Sequence, residues 1–153
     1  MDVKHVTPFI VGFNTVIPPL GFKRIDKGQL QVKKRNFTGS GIIIIVGMVG
    51  QLKGNVVYVI GAEAAKKIAS VMMNGKPVEA LDDMAKSALG ELANMLAAHA
   101  ATAFSAMKML IKISTPACFE GNDITVTMSA SKVFGVQMLV DDMPIDVNIS
   151  LEN

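Results

Sequence analysis

SALGELANMLAAHAATAFSA, residues Ser87 to Ala106, decides how this chain is read. Ala, Leu and Met favour helix, and no Pro interrupts the stretch. It holds one carboxylate, Glu91, and three positions later one amide, Asn94. At about 100° per residue, Asp83, Ser87, Glu91, Asn94, Ala98, Thr102 and Ser105 share one stripe of the helix. Leu89, Leu92, Met95, Leu96, Phe104 and the alanines fill the other faces and require cover. An ordinary solvated face recruits long charged side chains. Small, mostly uncharged residues around a single Glu leave instead a shallow strip that another molecule can approach closely.

Outward from this helix, the spacing of apolar residues predicts a helix over Val3–Val16, stopped by Pro18-Pro19, and a connector over Gly21–Gly28. Gln29–Phe37 reads as a strand. Ile42–Val49 and Asn55–Ile60 read as a hairpin across Gly50-Gln51-Leu52-Lys53-Gly54. Gly61–Met73 is helical in pattern and ends at Asn74-Gly75, and the long helix runs from an Asp82 or Asp83 cap to about Met107. Lys108–Ile113 begins a strand that Pro116 interrupts; Ile124–Met128, Lys132–Leu139 and Asp146–Leu151 follow as strands. This order predicts an α+β fold, with a largely antiparallel sheet of about six strands, two long helices and an N-terminal helix.

With 153 residues, the chain suits one domain spanning 1–153. Its hydrophobic fraction is 50% and its mean hydropathy +0.41. Yet the longest apolar run, GIIIIVGMVG at Gly41–Gly50, falls short of the roughly 18 residues of a membrane helix, and its β-branched residues suit a buried strand. A second subunit would cover the surplus apolar surface. Fifteen basic residues against 13 acidic, with only Lys33-Lys34-Arg35 clustered and no aromatic ladder, argue against a nucleic-acid partner. The N-terminus lacks the pattern of a signal peptide, and the single Cys118 fits a reducing cytoplasm. Two distant histidines and one thiol supply no metal-ligand set, and no base is placed to activate Cys118. Asp141-Asp142 with Asp146 lack a glycine-containing ligand loop and read as a solvated turn.

Glu91 and Asn94 are too few for a self-contained enzyme, but they suffice to complete a partner's active site. Ser87-x3-Glu91-x2-Asn94, followed by Pro116, resembles the CheC/CheX family of chemotaxis phosphatases, and the single-site CheX type most. The flanks LDDMAKSALGELANM, GMVGQLKGNVVYVI and KKIASVMMNGKPVEALDD carry the resemblance across most of the chain. Gln51, Lys53 and Ala98 depart from the family's usual glycine, acid and glycine. The resemblance implies a CheC/CheX-like fold and a phosphatase for the aspartyl phosphate of a CheY-like response regulator. Asn94 would orient the attacking water and Glu91 would pair with the receiver's lysine. Ser87 and Ala98 would form docking surface, and Pro116 would shape the neighbouring strand. No cofactor of its own is implied, since the receiver brings Mg2+. A homodimer pairing through its sheets is implied as well. The alternative is a non-catalytic module of the same fold that binds a response regulator or the flagellar switch.

Overall fold

Ile42–Met48 shows no polar–apolar alternation because both of its faces are covered. It lies in β2 (Asn36–Gly50) of a computed structural model that describes residues 2–153. Ile42, Ile44, Val46 and Met48 face the main core, whereas Ile43 joins Val57, Val126, Met128 and Val133 on the other side. β2 pairs with β3 (Lys53–Ile60) as the expected hairpin, in register from Ile42↔Ile60 to Met48↔Gly54.

The remaining strands are β1 (Ile25–Lys33), β4 (Ile111–Ile113), β5 (Ala117–Thr127), β6 (Val133–Val140) and β7 (Met143–Glu152). All pairings are antiparallel, in the order β1-β6-β7-β3-β2-β4, with β5 also on β2. Three α-helices, α1 (Thr7–Val16), α2 (Ala62–Met72) and α3 (Asp83–Ala106), complete the α+β fold. The sheet has seven strands where about six were expected, and α2 is only 11 residues long. Among the described residues no helix is long and apolar enough to cross a membrane.

α3 sits over the sheet with Leu89, Leu92, Leu96, Ala100 and Phe104 buried, and α1 packs beside it through Phe9, whose ring meets Phe104 edge-on at 5.8 Å. Asp82 caps α3 by accepting the Ala85 N–H at 2.9 Å. At the other end the Met109 N–H reaches back to the Phe104 carbonyl at 2.9 Å, with Lys108 at φ 63°. This left-handed closure usually carries glycine. The helix ends close to the expected Met107, but Lys108–Leu110 are taken up by this closure, so the strand expected from Lys108 begins only at Ile111.

Other boundaries moved as well. The gap between the strands expected to end at Phe37 and begin at Ile42, and the residues just before the strand expected from Ile124, are strand as well: β2 and β5 run through them, and the register shifts between Gly39↔Ile124 and Gly41↔Gly121. This bulge bends the paired strands so that Phe37 and Ile124 pack over the cluster around Ile43 and Val57, closing the outer face of the sheet. The expected Gln29–Phe37 strand is divided by a turn at Lys34-Arg35, where Arg35 Nε donates to the Met128 carbonyl at 2.8 Å. The expected Gly21–Gly28 connector becomes strand at Ile25, which pairs with Val140. Asp141 and Asp142 form the β6–β7 turn with φ 49° and 64°, and Asp141 accepts the Lys23 and Arg24 N–H groups at 2.9 and 2.7 Å.

Tyr58, the sole tyrosine, lies buried near Phe13 with no hydrogen-bond partner for its hydroxyl. Burial pushes its phenol far above the ordinary value of 10.0. Tyr58→Phe is expected to be neutral or to stabilise by about 1 kcal/mol, since it removes an unsatisfied polar group. Above about pH 10 the unfolded chain releases a proton that the folded chain retains, so stability falls as pH rises. Urea midpoints at about pH 8 and about pH 10.5 should therefore drop further in the parent protein than in Tyr58→Phe. Equal drops would contradict this account.

Candidate functional site

The buried face of α3 fixes its rotation and turns Ser87, Glu91 and Asn94 into a cleft of about 610 Å³, with Asp83, Lys86 and Gly90 beside them. Ser87 and Glu91 are exposed and Asn94 is half-buried. The facing wall is Ile113–Pro116, with Cys118 behind it.

Three contacts place that wall. Ser114 extends the β4–β2 pairing: its N–H donates to the Gly47 carbonyl at 2.9 Å, and its Oγ accepts the Gly47 N–H at 2.8 Å. Gln51 in the β2–β3 turn donates its N–H to the Leu110 carbonyl at 3.1 Å, and its Oε1 accepts the Leu110 N–H at 2.6 Å. The glutamine that departs from the family's usual glycine thus holds the approach to β4. On the far side, Cys118 Sγ donates to the Lys86 carbonyl at 3.7 Å. Burial pushes the Cys118 thiol up, against the weaker opposing effect of Lys86, so it stays protonated and unreactive at neutral pH.

The charges of the cleft are not neutralised internally. Ion pairs among the described residues are Arg24–Asp26 and Lys66–Glu63, which leaves Asp83, Lys86 and Glu91 without an ionic partner. Glu91 lies beyond the first turn of α3, where the helix dipole no longer compensates a carboxylate. Among the described residues no trio of His, Cys, Asp or Glu converges as metal ligands would. The cleft therefore offers a carboxylate, an amide and room for a partner, but no activated nucleophile.

Of the residues singled out in the sequence, Ser87, Glu91, Asn94 and Pro116 share the cleft. Ala98 lies on the next turn, outside it, where its carbonyl accepts the Thr102 hydroxyl at 3.1 Å. Sequence reasoning missed Lys86, Gly90 and the Ile113–Thr115 wall. Lys86 precedes the motif and Gly90 lies within it, and both could have been found on the helical wheel. The wall carries no such signal, because β4 is placed by pairing with β2, far away in the sequence.

The family model described as chemotaxis phosphatase CheX matches residues 42–139. The CheY-P phosphatase CheX of Thermotoga maritima is 33% identical over 95 residues, which cover 62% of this chain and 58% of that protein. Among solved structures, a chemotaxis protein CheX from Desulfovibrio desulfuricans superposes with a TM-score of 0.86 at 23% identity, covering 98% of this chain and 100% of that one. The CheX–CheY–BeF3–Mg2+ complex from Borrelia burgdorferi matches with a TM-score of 0.84 at 24% identity, covering 99% of this chain and 100% of that one.

Proposed function

The chain belongs to the CheX family of chemotaxis phosphatases, and from that premise we propose that it hydrolyses the aspartyl phosphate of a CheY-like receiver domain. The carrying observation is that Glu91 and Asn94, one turn apart on α3, line one open cleft that has no activated nucleophile of its own. Such a site makes sense only if the partner brings the rest of the chemistry. A phosphorylated receiver does: it holds the phosphoryl group, a Mg2+ ion and a lysine. The substrate named for the Thermotoga relative and the partner in the Borrelia complex support this choice.

Phosphoryl transfer needs chiefly positioning and charge stabilisation. Asn94 enters the receiver's pocket and orients a water in line with the phosphorus–oxygen bond to the aspartate. Attack breaks that bond, releasing inorganic phosphate and a free carboxylate. Glu91 pairs with the receiver's lysine and fixes the register of the two proteins; it is not the nucleophile. Ser87 is part of the docking surface, and Ala98 flanks it outside the cleft.

In this reading residues 1–153 act as one domain, in the cytoplasm, and form a homodimer through a sheet edge. β1 and β5 each pair on one side only, and Val32 on β1 and Phe119 on β5 are 73% and 50% exposed. A monomer in light scattering at micromolar concentration would exclude the dimer.

The deciding experiment follows phosphate loss from a phosphorylated CheY-type receiver with Mg2+ and substoichiometric amounts of this protein. Faster loss with repeated turnover is expected. Unchanged loss together with binding would leave a receiver-docking module; neither, across several receivers, would leave the α3 stripe a solvated face.

A further inference from the structure

We propose that the contact between Cys118 and Gly90 sets the width of the receiver-binding cleft, making these two residues a positioning pair for docking. The proposal rests on the functional reading above and deepens it. Glycine inside a helix is unfavourable, so Gly90, immediately before Glu91, needs a structural reason. A Cβ at Gly90 would stand 3.3 Å from Cys118 Sγ, tighter than ordinary side-chain contact. The missing side chain is thus the notch in which the sulfur rests, and the same sulfur reaches the Lys86 carbonyl one turn earlier.

The other end of the wall is seated in the same way. Ser114 exchanges two hydrogen bonds with Gly47, and a Cβ on Gly47 would stand 3.3 Å from its Oγ. Thr115 and Pro116 bridge these anchors and face the Glu91–Asn94 side of the cleft. β4 has only three residues, all paired with β2, so it ties the wall to the sheet, and its Ile111 and Ile113 pack against the core that α3 shares. Cys118 acts as the spacer between the wall and α3. Neither residue touches the reacting atoms in this scheme; both act through the distance between the wall and α3. The sulfur has a steric role here, and no change in its oxidation or protonation is involved.

The test is a substitution series read by steady-state hydrolysis of a phosphorylated receiver, with thermal midpoints measured alongside. Gly90→Val wedges the sulfur outward and is expected to raise KM about tenfold while kcat stays within about threefold of the parent. Adding Cys118→Ala makes room for the wedge and should return KM to within about threefold of the parent, a coupling that independent sites do not show. A folded Gly90→Val protein with unchanged KM, or a double variant without recovery, overturns the proposal. Should Gly90→Val fail to fold, Gly90→Ala takes its place, because the helix itself favours alanine. It should raise KM about two- to threefold, and Cys118→Ala should cancel that rise; no rise, or a rise left uncancelled, overturns the proposal. Binding to a receiver loaded with BeF3 and Mg2+ separates the two readings. Absent hydrolysis with intact binding sinks the phosphatase, yet Kd must still rise and recover across the series, and a flat Kd overturns the positioning pair. No binding by the parent protein overturns both.

Discussion

Asn94→Ala protein is expected to release phosphate from a phosphorylated receiver no faster than the receiver does alone, a fall of about a hundred- to a thousandfold in catalysed rate. Affinity for the receiver should stay within about threefold of the parent, because the amide acts on a water and not on the main contact surface. Its position fits that division: Asn94 is half-buried within the cleft, so truncation removes an amide without exposing core. Glu91→Ala should weaken binding and turnover together, since an exposed carboxylate without an internal ion pair is free to engage the receiver's lysine. Single-turnover decay and binding to the BeF3-loaded receiver read the two effects separately. Equal loss of binding in both variants would contradict the assigned roles.

Gly54→Ala should cost about 3–5 kcal/mol, enough to unfold much of a protein whose total stability is of order 10 kcal/mol. Gly54 has φ +155° and sits where β3 pairs with Met48 of β2 on one side and Leu151 of β7 on the other. A Cβ there would overlap the Ser150 carbonyl oxygen. That oxygen is backbone in the middle of the sheet, and Ser150 is itself held by hydrogen bonds between its hydroxyl and Ala130. The obstacle cannot swing aside as a side chain could. The urea midpoint is the measure, and a midpoint equal to the parent's would refute the steric argument. Loss at Gly54 should also reach the cleft, because the adjoining turn places Gln51 against Leu110 and so the approach to β4.

The sequence was most legible where local chemistry decides local structure. Asp82 capping α3, Asn74-Gly75 ending α2, and the β2–β3 hairpin all follow from residues within a few positions of one another. The site motif was legible for the same reason, as Ser87, Glu91 and Asn94 are periodic on one helix. What could not be read depends on distant partners. Ile25 is strand only because Val140 lies beside it, and Gly39–Gly41 is a bend and not a break only because β5 continues the pairing across it. The far wall of the cleft was invisible because Ser114 finds Gly47 through the sheet, 67 residues back. Ala98 shared the stripe by angle, but the cleft ends before its turn.

The place of β7 has a bearing on how the protein is made. It joins β3 to β6, so the β2–β3–β4–β5 half and the β1–β6 half of the sheet have no other strand between them. While the polypeptide emerges from the ribosome, hairpins and helices can form early, but the two halves stay separate until Met143–Glu152 is free to pair. Closure then requires loops of long sequence separation, as in β1 with β6, a topology that slows folding. During that interval the interior positions of β3, Val56 and Tyr58 among them, stand at an open strand edge. Nascent protein is then at its most vulnerable to association with other chains, and a substitution that delays the docking of β7 would lower yield in the cell even where the finished molecule is as stable as before.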